Sequence, residues 1–274
     1  MGLWSRTSNT WPDRQPDMDD DKQQELQRYD DRALSRLSAP GSDRQLDDGV
    51  LAMPAYLRAP YLHYESRVAE LIGPAHTVLE LGAGAGGHTL ALARTGARVT
   101  ATDISPHSLV YLARRLADLG LTVQTRVADM EALPFVENAF DFVACAGSLS
   151  YGEPALVDAE IRRVLRPGGA LICVDSLNHN PVYQLNRLIH CYRGNRTRST
   201  LKRMPDLRRI EQIARPFRTV EVRYFGALSF AMPVMARVLG PKRAGEFSDW
   251  IDQTARIRRS AFKFVLIAQS LEKS

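Results

Sequence analysis

Cysteine is scarce in this 274-residue sequence, with three copies and no C-x-x-C pair among Cys145, Cys173 and Cys191. That excludes a disulfide framework and a thiolate metal site as organising features, and no metal is expected. Cys145 and Cys173 lie in apolar runs, where a reduced thiol is a small hydrophobe. Long apolar runs are missing as well. None approaches the roughly 18 residues of a spanning helix, so no membrane partner is expected. The first residues lack a basic segment leading into an apolar core, and Arg6 stands where an acylation signal wants Ser or Thr. A cytoplasmic location is expected. What remains is an ordinary globular balance, 45% apolar and 24% charged, enough at this length to bury a core unaided.

Lysine is rare, five copies against 31 arginines, and the formal charge is +5. Nine cations and two anions fall between Ser176 and Arg215, a local balance of +7 that leaves the rest slightly acidic. A compact basic segment concentrates anionic partners, although a chain biased toward arginine also forms such clusters by composition. Tyr183 and Tyr192 are its only aromatics, too few for a base-stacking surface, which speaks against nucleic acid. A small polar or anionic molecule suits it better. The sequence leaves the oligomeric state open.

Residues 1–22 mix Pro, Asp, Ser and Asn without apolar period and are expected to form a disordered tail. Residues 23–72 carry two helical patterns, Gln23–Leu37 and Tyr56–Ile72, expected to act as an N-terminal helical lid. From residue 73 to the end, β-branched runs alternate with helical stretches. Strands are expected at Thr77–Leu81, Arg98–Thr102, Thr122–Val127, Phe140–Ala146 and Ala170–Asp175, with helices at Gly87–Thr95, Pro106–Leu119 and Pro154–Leu165. This rhythm predicts right-handed crossovers and a doubly wound α/β domain. The alternation lapses over 176–215, directly after the carboxyl end of a central strand, where open α/β sheets place ligands. It resumes with a strand at Thr219–Tyr224, a helical stretch at Pro233–Ile257 and a last strand at Ala261–Ser270.

The first expected strand ends in Glu80-Leu81-Gly82-Ala83-Gly84-Ala85-Gly86-Gly87-His88 and opens a helix. Glycines there admit backbone angles closed to other residues and let the main chain approach a ligand. Gly82, Gly84 and Gly87 satisfy a dinucleotide G-x-G-x-x-G pattern, while Gly82, Gly84 and Gly86 satisfy the G-x-G-x-G of S-adenosylmethionine sites. Asp103 ends the second strand, where a carboxylate can accept both ribose hydroxyls. Asp129 ends the third, placed for an adenine amino group, with Met130 to pack on the ring. A negative Glu80 would repel a pyrophosphate but suits an ammonium. The balance moves from a nicotinamide oxidoreductase toward adenosylmethionine.

These motifs, with Leu133-Pro134-Phe135, Phe140-Asp141-Phe142-Val143 and Leu165-Arg166-Pro167-Gly168-Gly169, resemble the class I S-adenosylmethionine-dependent methyltransferases of bacterial small-molecule type over about Tyr56 to Asp175. The resemblance implies a seven-stranded, mostly parallel Rossmann-like sheet with an antiparallel last strand, and S-adenosyl-L-methionine as cofactor. Gly82, Gly84 and Gly86, with Ala83 and Glu80, would line the methionine part. Asp103 with Ile104 would hold the ribose, and Asp129 with Met130 would frame the adenine; Ala146 is expected nearby. The stretch from Asn178 to Pro205 is similar to a segment of methyltransferases that accompany surface-polysaccharide and sugar-modifying genes.

A sulfonium methyl is already activated, so the protein must align the acceptor and remove its proton where it has one. His179, Tyr151 and His63 are the candidate bases, each with a plain structural reading beside it. Tyr61, Tyr64, Ser148, Asn180, Arg187 and Arg193 are expected to bind substrate. The expected activity is transfer to an oxygen of a polar, sugar-like or phosphorylated small molecule. The alternatives are transfer to an amine and a binding subunit without turnover.

Overall fold

A computed structural model describes residues 20–38, 49–192, 197–255 and 257–272. Most of the expected tail lies outside them, but its last three residues do not: the first helix, α1, is Asp20–Leu37 and begins with two acids that suit a helix N-terminus. After two short 3₁₀ turns, α2 (Ala59–Leu71) leads into β1 (Thr77–Leu81), α3 (Thr89–Arg94), β2 (Arg98–Asp103), α4 (Pro106–Asp118), β3 (Gln124–Val127) and β4 (Phe140–Ala146). Then come α5 (Pro154–Val164), β5 (Leu165–Ser176), α6 (Pro181–Tyr192), α7 (Arg198–Lys202), α8 (Leu207–Ala214), β6 (Phe217–Phe225), α9 (Met232–Leu239), α10 (Pro241–Thr254) and β7 (Lys263–Leu271).

The seven strands run in the order β3-β2-β1-β4-β5-β7-β6. All pairings are parallel except those of β7, which is antiparallel to both β5 and β6. The chain winds outward from β1 to β3, then returns to lay β4 on the other side of β1, with Leu79 opposite Val143. That reversal leaves a crevice at the carboxyl ends of β1 and β4, the place where such sheets bind ligands. The central strands are apolar on both faces because helices cover both. Leu79, Val143 and Leu171 pack with Val157 and Ile161 of α5 and Ile210 and Ile213 of α8. On the opposite face Val78, Ala144 and Ile172 pack with Tyr64 and Val68 of α2 and Leu92 of α3.

Three local departures from the sequence pattern have physical causes. Strand β5 starts at Leu165, not Ala170, because Arg166-Pro167-Gly168-Gly169 is a register shift inside the strand. A side chain at Gly169 would meet the Arg166 and Asp141 carbonyls at 2.9 and 3.0 Å, so glycine is required there. The helical stretch near the C-terminus divides at Gly240, whose φ is +84°, followed by Pro241. Residues 176–215 also carry three helices. No helix among the described residues is long and apolar enough to cross a membrane.

Part of the basic segment is internal architecture. Arg209 is buried and makes a two-pronged ion pair with Asp158 of α5, one prong at 2.6 Å, and also reaches the Pro154 carbonyl at 3.3 Å. Removing one member of such a pair strands a charge in the core, whereas removing both can be nearly neutral. Urea unfolding of Arg209→Leu is expected to show a loss of about 3 to 5 kcal/mol. Asp158→Leu in the same chain should restore most of it; equal losses in single and double variants would contradict this.

Candidate active site

The turn after β1 is built around three glycines in left-handed backbone, Gly82 (φ +65°), Gly84 (+52°) and Gly86 (+78°). At Gly82 a Cβ would stand 2.6 Å from the Ser148 Cβ, so β1 and the loop after β4 close on each other only because this residue has no side chain. The Ser148 hydroxyl locks that approach by donating to the Leu81 carbonyl at 2.8 Å. Gly86 faces inward onto Leu112, and Arg115 donates to its carbonyl at 2.9 Å.

Asp103, at the end of β2, accepts the Gly84 amide at 2.8 Å through Oδ2 and the Ser105 amide at 2.8 Å through Oδ1. Burial raises its pKa and these amides oppose the rise without cancelling it. Asp129, beyond β3, accepts the Glu131 amide at 2.9 Å. Its other oxygen receives Lys22 of α1 at 2.6 Å, and Lys22 also reaches Glu131 at 2.6 Å. Burial works against that ammonium, but the two carboxylates outweigh it and hold its pKa above the ordinary value. Glu80 is buried beneath the turn, with Oε2 lacking a hydrogen-bond partner. Burial pushes its carboxyl up to about 7; the neighbouring Thr89 hydroxyl lowers it somewhat, and Asp103 raises it further.

Together these groups bound a cavity of about 260 Å³. Of the expected cofactor residues, Gly82, Ala83, Gly84, Asp103, Ile104, Asp129, Met130 and Ala146 lie on its wall, as do Ser148 and Tyr151; Glu80 and Gly86 lie behind it. Helix α1 closes the opposite side with Asp21, Lys22, Glu25 and Tyr29, and Ser199, Thr200 and Arg203 join from α7 and its end. The Tyr29 hydroxyl donates to the Tyr151 hydroxyl at 2.6 Å, and burial, with Tyr151 beside it, pushes the Tyr29 phenol well above its ordinary range.

Other expected residues stand elsewhere. His179 is half-buried between β5 and α6 and is not on the wall. His63 faces β6, 3.5 Å from Arg223 and 5.6 Å from the Phe225 ring centre; burial and then Arg223 lower its pKa. It turns that way because Tyr64 and Val68 take the inward face of α2. Tyr64 is core, its hydroxyl without a partner. Asn180 accepts the Val182 amide at 2.9 Å and donates to Ser260. Arg187 is buried and donates to the Leu177 carbonyl at 3.0 Å. Arg193 lies outside the described residues.

The imidazole that does reach the wall is His88, the residue after the glycine run. Tyr61 stacks on it at 4.9 Å, and Glu65 stands 3.6 Å from its Nδ1. Its adjacency to Gly87 is the signal that points to it in the sequence. The wall contributed by α1 and α7 is assembled from segments more than a hundred residues apart, which no local pattern reveals.

An adenosyl group fits these residues. Asp103 is fixed by two amides with lone pairs left for ribose hydroxyls, Gly84 has no atom within 4 Å of where a side chain would stand, and the Glu80 carboxyl below the turn keeps an oxygen without a partner. Strand order, glycine turn and terminal carboxylates define a doubly wound nucleoside-cofactor domain. Residues 78–169, about a third of the chain, match a family described as a methyltransferase domain. An uncharacterised protein of Mycobacterium tuberculosis is 41% identical over 101 residues, 36% of this chain and 37% of that one. A demethylmenaquinone methyltransferase of Tropheryma whipplei is 36% identical over 115 residues, 40% of this chain and 46% of that one. The match thus spans less than half the length of these curated relatives. In fold, the chain is similar to a geranyl diphosphate C-methyltransferase of Streptomyces coelicolor, solved with Mg²⁺, geranyl diphosphate and S-adenosyl-L-homocysteine. That likeness has a TM-score of 0.62 at 17% identity and covers 94% of this chain and all of that one.

Two outcomes follow from this geometry. Asp103→Ala should weaken adenosylhomocysteine binding in calorimetry by about 1.5 to 3 kcal/mol, the worth of a charge-assisted hydrogen bond; unchanged affinity would refute the ribose assignment. Glu80, with its folded pKa raised, contributes stability that is complete below its unfolded pKa near 4.5 and is lost as pH rises through about 7. Glu80→Gln should therefore stabilise the cofactor-free chain by about 2 to 3 kcal/mol at pH 8 and change it little at pH 4. Equal effects at both pH values would contradict the buried, unpaired carboxylate.

Proposed function

We propose that this chain transfers the methyl group of S-adenosyl-L-methionine to an oxygen of a polar small molecule with a sugar-like or phosphorylated head. The observation that carries the reading is the wall facing the glycine turn. Tyr29, Tyr151, Ser199, Thr200 and Arg203 gather four hydroxyl-bearing neighbours and one guanidinium around a single acceptor space. Such a wall suits hydroxyls and anionic groups, because hydroxyls both donate and accept and Arg can hold a phosphate or carboxylate with paired bonds.

When bound, the cofactor supplies an electrophilic methyl on a sulfonium; the rest falls to the chain. Tyr151 and Tyr29 orient the acceptor through their hydroxyls. Arg203, itself 3.4 Å from Glu153, offers positive charge to an anionic head. His88 is the group that takes the acceptor proton, with Glu65 behind Nδ1 to orient the ring and stabilise the imidazolium. Helix α1 excludes water from the space by lying across it.

The test uses labelled cofactor with a panel of nucleotide sugars, glycosides, aminosugars and a demethylated quinol. Label on an oxygen, with His88→Asn lowering turnover by about 10²-fold or more and leaving adenosylhomocysteine affinity within a few fold, supports the reading. Label arriving only on carbon or nitrogen would overturn the oxygen acceptor. Full turnover in His88→Asn would remove the histidine from its role.

A further inference from the structure

The connection between β6 and β7 leaves a surface that the transfer reaction does not use. It departs from Phe225 and returns at Lys263, which pair with each other and, through Ser176, with the end of β5. Helices α9 and α10 therefore stand at the carboxyl edge of the sheet, on the same edge as the cavity. On α9, Val234 and Val238 are one turn apart and exposed at 66% and 77%. On α10, Phe247 and Trp250 form a ring pair 6.0 Å apart, and Trp250 is 57% exposed. Phe230 and Leu239 are exposed beside them, and Ile257 follows α10.

Charge on these two helices is sorted by depth. The acids turn inward: Asp252 accepts the Gly226 and Ala227 amides at 2.6 and 3.0 Å, and Asp249 is half-buried with Oδ1 lacking a partner. The cations turn outward: Arg237, Lys242, Arg243, Arg258 and Arg259 are all exposed. Among the described residues of this connection only Glu246 opposes them at the surface, and it faces Lys242 at 4.0 Å. Arg243, Phe247, Trp250 and Thr254 fall at i, i+4, i+7 and i+11, so cation, aromatic rings and hydroxyl share one stripe.

We infer that α9 and α10 dock this protein on an anionic lipid surface, seating Val234, Val238, Phe247 and Trp250 at the boundary between headgroups and acyl chains. Helices that lie in that plane present apolar and aromatic side chains flanked by cations whose stems extend toward phosphate. A second copy of this chain is a poorer occupant, because a two-fold contact through this patch would set its cations against themselves. The lack of a spanning helix has no bearing on such a surface mode. The docking also stands independently of which atom is methylated.

Flotation of the full chain with phosphatidylcholine vesicles, with and without phosphatidylglycerol, tests it. The chain is expected to float with the phosphatidylglycerol vesicles, to float poorly with phosphatidylcholine alone, and to be released by salt. Arg237→Gln with Arg243→Gln should weaken partition about five-fold per cation removed. Val234→Gln with Val238→Gln should abolish flotation at unchanged adenosylhomocysteine affinity. A chain that binds adenosylhomocysteine but floats with neither vesicle would overturn the inference. So would a dimer seen by light scattering that the valine variants dissolve, since the face would then belong to a second copy.

Discussion

The carboxylate of Asp103 holds the site in register. Through one oxygen it fixes the glycine turn after β1, and through the other it fixes the start of α4, both at 2.8 Å. A carboxylate in this position is costly to bury, and its pKa is raised accordingly. Oriented amides lower that cost, and the lone pairs they leave unused face the cavity. The same logic applies beneath the turn, where Glu80 is buried without a full set of partners. Two carboxyls 23 residues apart in sequence thus stand at the crevice with raised pKa, and the charged form of each would be favoured by a cofactor bearing an ammonium and a sulfonium.

Helix α1 answers that field from outside. Lys22 bridges Asp129 and Glu131, Asp30 meets Ser105 and His107 at the start of α4, and Glu25 accepts from Thr200 at 3.2 Å. The helix is thus fastened to the acid beyond β3, the cap of α4 and the cap of α7 by polar contacts. Polar contacts of this kind exchange with water more readily than a packed apolar face does. An adenine edge seated at Asp129 would have to displace Lys22, which holds that carboxylate at 2.6 Å.

How much of this was legible in the sequence depended on whether a feature was local. Strands β1 and β4 coincide with the bounds expected from their apolar runs, because buried parallel strands are uniform and their ends are marked by glycine. Asp103 and Asp129 were legible from position, as the acids that close the β-branched run Val99-Thr100-Ala101-Thr102 and the stretch ending Val127-Ala128. The start of β5 was hidden by Pro167-Gly168-Gly169, which read as a turn yet lies within the strand. The helices of 176–215 were hidden by their many polar residues, two of whose arginines prove to be internal ties. His88 was visible but unremarked beside the glycines. The distal wall, where Tyr29 meets Tyr151 across 122 residues, depends on tertiary docking of α1 and has no periodic signature. His63 and His179 illustrate the converse, since residue type and approximate edge did not determine whether the residue reaches the cavity wall.

The account rests on an adenosyl cofactor lying between Asp103 and Asp129 over the glycine turn. Its most direct test is the crystal structure of the full chain grown with adenosylhomocysteine. Ribose hydroxyls on Asp103, adenine against Met130 and the Lys22 ammonium drawn away from Asp129 are the expected result. An adenosyl group bound elsewhere on the molecule, or density absent from this cavity at saturating ligand, would contradict it.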